Sequence, residues 1–139
     1  MSTEQGRRWL AAGMGWREGM LTATGWRLTS DPYERGWACA ARPGVEVAIL
    51  LLDSDGGPDF DDAATRGVAL EMVRERLGEP TAYLTYDASH GEWSLVRNLG
   101  HDEEEGLHSG GDWGLNGTGA FITGPTEADA LVAAAEAAQ

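Results

Sequence analysis

Four of the six tryptophans have arginine close by, three as direct neighbours and one across a glycine: Arg8-Trp9, Trp16-Arg17, Trp26-Arg27 and Arg35-Gly36-Trp37. Tryptophan offers a flat face on which a base can stack, and arginine offers a planar fork that suits phosphate or stacks on rings itself. Such pairs could hold a nucleotide, which makes Trp16, Arg17, Trp26, Arg27, Arg35 and Trp37 the candidate ligand-binding residues. A purely structural reading competes with this one. Neighbours on a strand point to opposite faces, so Trp26 could fill the core while Arg27 runs out to water, and Trp16 could plug a helix against a sheet. A small sheet hardly encloses a nucleotide alone. The binding reading therefore implies a homo-oligomer, whose symmetric interface lines a cleft twice with the same residues.

Other clusters suggest metal chemistry less well. Asp53, Asp55, Asp59, Asp61 and Asp62 bring several carboxylates into one loop, as calcium requires. Beginning an EF-hand at Asp53, however, puts Pro58 where the glycine belongs and Ala64 where the bidentate glutamate belongs. His101, Asp102, Glu103, Glu104, Glu105 and His108 could supply ligands, with His90 joining from a turn, but their spacing matches no zinc-hydrolase motif. No GxSxG, CxxC, phosphate-loop lysine or dinucleotide fingerprint occurs. The expectation is a protein that is not an enzyme, with no cofactor, no metal and no catalytic residues.

Composition narrows the partners. A formal charge of −13 argues against general nucleic-acid binding, which draws its affinity from clustered basic residues. All ten basic residues are arginine, a bias that a high-GC genome produces without functional meaning. No run approaches 18 apolar residues and the N-terminal apolar cluster Trp9 to Ala12 is too short for a secretory signal, so no membrane association and a cytoplasmic location are expected. The single Cys39 excludes an intramolecular disulfide, and its apolar surroundings suggest a buried structural thiol.

The elements that must position these residues can be read from periodicity and punctuation. Glu4 to Ala12 predicts a helix ended by Gly13-Met14-Gly15. Met20 to Thr29 alternates as a half-buried strand. Gly36 to Ala41 and Val45 to Leu52 flank Arg42-Pro43-Gly44 as an antiparallel hairpin, its second strand apolar enough to be central. Asp61 is expected to cap a core helix running to about Leu77, with Val68, Ala69, Met72, Val73 and Leu77 on one face. Thr81 to Tyr86 and Glu92 to Val96 predict a strand pair, His101 to Leu115 a polar loop, and Gly119 to Thr123 a last strand. Thr126 and Asp129 open an alanine-rich terminal helix. At 139 residues this is one domain, residues 1–139, burying roughly two thirds of its unfolded surface. The fold class is α+β, a mostly antiparallel sheet packed with three helices.

The order of elements resembles the small bacteriophage proteins of the phage ABA-sandwich family and kindred phage and prophage proteins of high-GC hosts. Ala12-Gly13-Met14-Gly15-Trp16, Pro58-Asp59-Phe60-Asp61-Asp62-Ala63-Ala64-Thr65 and Thr126-Glu127-Ala128-Asp129-Ala130-Leu131-Val132 carry the resemblance. It implies an ABA-sandwich-like fold, a phage origin, action in the host cytoplasm and an accessory role without a settled activity. The leading expectation is a non-enzymatic protein that counters host defence by sequestering a nucleotide-derived immune signal. One alternative is an acidic protein-protein inhibitor or immunity-type protein docking on a basic host partner. A second is a metal-assisted hydrolase using the His101 to His108 loop.

Overall fold

The computed structural model describes residues 3–33, 36–52, 57–96, 98–102, 106–109 and 122–137, with backbone alone for residues 3, 87, 98–102 and 106–109. Three helices and two three-stranded antiparallel sheets make the protein α+β. Its contacts divide it into two compact units, Met1–Ala69 and Leu70–Gln139. No helix among the described residues is long and apolar enough to cross a membrane.

In the first unit, α1 (Thr3–Ala11) ends where expected: Gly13 takes φ 81°, and the Gly13 and Met14 amides donate to the Leu10 and Trp9 carbonyls. Trp9 is fully buried. Its Nε1 donates to the Gly15 carbonyl at 2.9 Å and its ring meets Phe60 edge-on, centroids 5.3 Å apart. The Arg8-Trp9 pair is therefore split, with its tryptophan in the core.

Met20 to Thr29 is not one strand. The segment folds back on itself: Leu21 bridges Arg27, the Leu28 amide donates to the Met20 carbonyl, and only β1 (Arg27–Leu28) belongs to the sheet. Thr22 and Gly25 cause the reversal. The Thr22 hydroxyl accepts the Trp26 amide at 2.9 Å, and Gly25 takes φ 92°, a conformation that costs glycine no steric strain.

The hairpin forms as expected from β2 (Trp37–Arg42) and β3 (Val45–Leu51), with Gly44 at φ 78° between them. The order is β1-β2-β3, so β3 is an edge strand and not the central one. Its apolar run resembles a strand buried on both faces, but only alternate side chains turn inward. Leu50 packs with Trp16 against Leu28, Ala38 and Leu52, while Val45, Val47, Ile49 and Leu51 are exposed.

Helix α2 (Ala63–Leu77) contains the boundary between the units. Its N-cap is Asp62, one residue later than expected: Asp62 Oδ2 accepts the Thr65 amide and hydroxyl, both at 2.9 Å. Asp61 instead donates its amide to Asp59 Oδ1. Gly78 at φ 68° closes the helix.

In the second unit β4 (Tyr83–Asp87) and β5 (Glu92–Val96) form the expected hairpin, and Tyr86 lies against Trp93 across it at 5.5 Å. Part of the stretch read as a polar loop is a hairpin of β6 (Asn98–Asp102) and β7 (Gly106–Ser109). β8 (Ile122–Gly124) completes the sheet in the order β4-β5-β8. The expected start of that strand at Gly119 lies outside the described residues. The last helix, α3 (Glu127–Ala137), buries Ala128, Ala130, Leu131, Val132, Ala134 and Ala135. Thr126 caps it as anticipated, accepting the Asp129 amide while its hydroxyl donates to the Asp129 carboxylate at 2.8 Å.

Candidate functional site

The five described candidate ligand-binding residues, Trp16, Arg17, Trp26, Arg27 and Trp37, do not share one site. Trp16 is half-buried, packed with Leu50 against Leu28, Ala38 and Leu52 on the inner face of the first sheet. Arg17 follows it in the turn leading to Met20, whose amide donates to the Arg17 carbonyl. Arg35 lies outside the described residues. Trp37 opens β2 and stays partly exposed.

Arg27 has a carboxylate of its own chain in its fork. Its Nη1 and Nη2 donate to Asp62 Oδ2 and Oδ1 at 2.6 and 3.1 Å, and Nη1 also reaches the Gly19 carbonyl at 3.0 Å. The pairing extends through Asp62 to the buried Thr65, whose hydroxyl accepts the Leu21 amide at 2.9 Å. This network fastens the Met20–Leu28 reversal to the start of α2. Hydrogen bonding from Arg27, helped by Thr65, holds the Asp62 carboxyl at about 2, well below its ordinary value, and the bond to Asp62 raises Arg27 in turn.

Trp26 is stacked by an arginine that adjacency in sequence does not indicate. β1 pairs Arg27 with Ala41, which puts Trp26 across from Arg42, and the Arg42 guanidinium lies 4.8 Å from the Trp26 ring centroid. Strand pairing, not sequence adjacency, therefore makes the Arg/Trp pair.

Most of the large exposed hydrophobic side chains among the described residues lie on the outer face of the first unit's sheet. Trp37 pairs with Leu51 and Cys39 with Ile49, so the four side chains share a face, joined by Val47 along β3. Tyr33 bridges Trp37 from the other side, and partial desolvation, with smaller effects from Cys39 beside it, raises its phenol above the ordinary value. Val47 and Ile49 are each 60% exposed, Tyr33 47%, Leu51 41% and Trp37 38%. Cys39 is a half-buried free thiol among them, not a fully buried one. The exposed parts amount to on the order of 500 Å2, towards the upper end of the largest apolar patch that a typical monomer shows. Such a face with aromatic anchors has the makeup of an interface core.

The sequence does carry a signal for this face. From Val45 to Leu51 the odd positions hold Val, Val, Ile and Leu while the even ones hold Glu46, Ala48 and Leu50. Glu46 is a charge inside the run, which argues against a strand covered on both faces.

Among the described residues no three of histidine, cysteine, aspartate and glutamate converge as metal ligands. The side chains of His101, Asp102 and His108 and all of Glu103 to Glu105 lie outside the description, as do Asp53 and Asp55. His90 lies in the β4–β5 turn, its Nδ1 3.2 Å from the Ser89 hydroxyl. Comparison with family models, curated proteins and solved structures finds no match to this chain.

Proposed function

We propose that the chain is a non-enzymatic binding protein that acts by protein-protein contact, docking the outer face of the β1-β2-β3 sheet on a partner with an apolar patch rimmed by basic residues. One observation carries this reading: Trp37, Val47, Ile49 and Leu51 form a continuous exposed apolar face on one sheet. The net charge of −13 adds the expected chemistry of the rim, because complementary charge steers encounter and excludes wrong partners. The resemblance to phage accessory proteins makes a host protein the natural class of partner, and occupying it would counter the host.

A photo-crosslinking amino acid at Ile49 and, as control, at the exposed Glu71 of α2 tests this in producing cells. Adducts at position 49 and none at 71 are expected. Equal yields at the two positions, or none at 49, would refute the face.

Arg42 stacked on Trp26 keeps the nucleotide-sequestering reading as a second proposal. A ligand would have to enter that stack, and the required result is a rise in melting temperature with a linear or cyclic nucleotide that is recovered unchanged. A ligand at about 100 times its dissociation constant adds roughly 2.7 kcal/mol, which such a scan detects. An unchanged midpoint across the panel, or a shift that survives Trp26→Ala and Arg42→Ala, would remove this reading.

A further inference from the structure

We propose that the free edge of β3 pairs with the β3 of a second copy of this chain, antiparallel and two-fold, joining two sheets into a continuous six-stranded one. The inference rests on the protein-contact reading of the outer face and names a partner for its border. Ladder geometry identifies the groups available. Trp37 lies opposite Leu51, so Gly36 lies opposite Leu52, and the Leu52 amide donates to the Gly36 carbonyl at 2.9 Å. Leu52, Leu50 and Ala48 therefore aim their backbone groups at β2, and alternation turns those of Val47, Ile49 and Leu51 towards the open edge. β3 ends the strand order, so no strand among the described residues covers that edge.

Edges of this kind are ordinarily protected by proline, lysine, a bulge or extreme shortness. β3 is protected at one end only: Glu46 and Val47 together oppose Ala41, a bulge beside the hairpin turn, while Ala48 to Leu51 pair regularly with β2, and the strand is seven residues long and contains neither proline nor lysine. Its lone charge is Glu46. With the two-fold axis at Ile49, Val47 meets Leu51 of the second copy, Ile49 meets itself, and Glu46 falls opposite Leu52. Like charges are kept apart despite the acidity of the whole chain. Each of the three open residues contributes an N–H and a C=O, which gives six inter-chain hydrogen bonds.

One outer face of on the order of 500 Å2 is smaller than the roughly 800 Å2 per partner of a standard interface, whereas two faces joined edge to edge exceed it, so the dimer offers a foreign partner a surface of standard size. Pairing at the edge leaves the outer side chains free, so the dimer presents the apolar face in duplicate.

The test is the mass of the full chain in solution and its cross-linking. A particle of twice 14.8 kDa is expected, with Ile49→Glu, which sets two carboxylates against each other, weakening self-affinity at least tenfold while leaving circular dichroism unchanged. A Cys39→Ser background removes the native thiol. In it, Ile49→Cys should oxidise to a disulfide-linked dimer, since directly opposed residues of such a pair have Cα atoms about 5.5 Å apart, within bridging range. Glu71→Cys should not. A monomer that fails to cross-link through position 49, or a dimer unaffected by Ile49→Glu, overturns the inference. In either case the photo-crosslinker at Ile49 reads the face separately: foreign adducts there preserve the protein-contact reading, and their absence removes both.

Discussion

A phosphate bound to Arg27 would have to displace Asp62, which already occupies the guanidinium fork with two hydrogen bonds. The pair serves the fold: the same carboxylate caps α2 through Thr65. Asp62→Asn keeps an acceptor for the cap and removes the charge. Pairing depresses the folded-state pKa of Asp62 to about 2, so its contribution is complete above the unfolded value of about 4 and disappears as pH falls through the folded one. Arg27 is 40% exposed, and after allowance for solvent screening the contribution is about 1 kcal/mol. Chemical unfolding at pH 7 should separate the wild type from Asp62→Asn by about that amount, and the gap should close between pH 4 and pH 2. A gap that stays constant to pH 2 would show that the charge of Asp62 is not what stabilises this contact.

At the scale of elements, punctuation was read more reliably than burial. Gly13, Gly44 and Gly78 mark chain reversals or helix ends with left-handed backbone, and Thr126 caps α3, because these effects depend on residues a few positions apart. In the Met20–Thr29 segment the alternation is real but Thr22 and Gly25 bend it, a competition that a period-two count does not weigh. The edge position of β3 and the Trp26–Arg42 stack depend on which strands become neighbours, information that lies in no local window. Gly124 is a second case where spacing gave no warning. A Cβ there would lie 2.6 Å from Asp129 Cβ and 2.7 Å from the Ala130 amide nitrogen, so β8 and α3 approach at a distance only glycine permits. Gly124→Ala should lower stability by about 2 kcal/mol through overpacking, measured as a drop in the denaturation midpoint with unchanged slope. Full stability in Gly124→Ala would mean that strand and helix separate freely.

For the molecule as a whole, charge and apolar surface make opposite demands. The charge of −13 was legible in composition and speaks for a basic partner, whereas the apolar face appears only once the strands are placed. Two copies joined at β3 repel through their net charge and are held by backbone hydrogen bonds and apolar contact, neither of which salt weakens in the same way. Attraction to a basic partner is long-ranged at low ionic strength and is screened as the Debye length contracts from about 30 Å at 0.01 M to about 10 Å at 0.1 M. Added sodium chloride should therefore tighten self-association, read by sedimentation, while slowing association with a partner isolated through position 49, read by stopped-flow fluorescence. An equal loss of both with salt would place acidic side chains in the self-contact, and β3, whose only charge is Glu46 opposite an apolar residue, could not then be the strand that joins the copies.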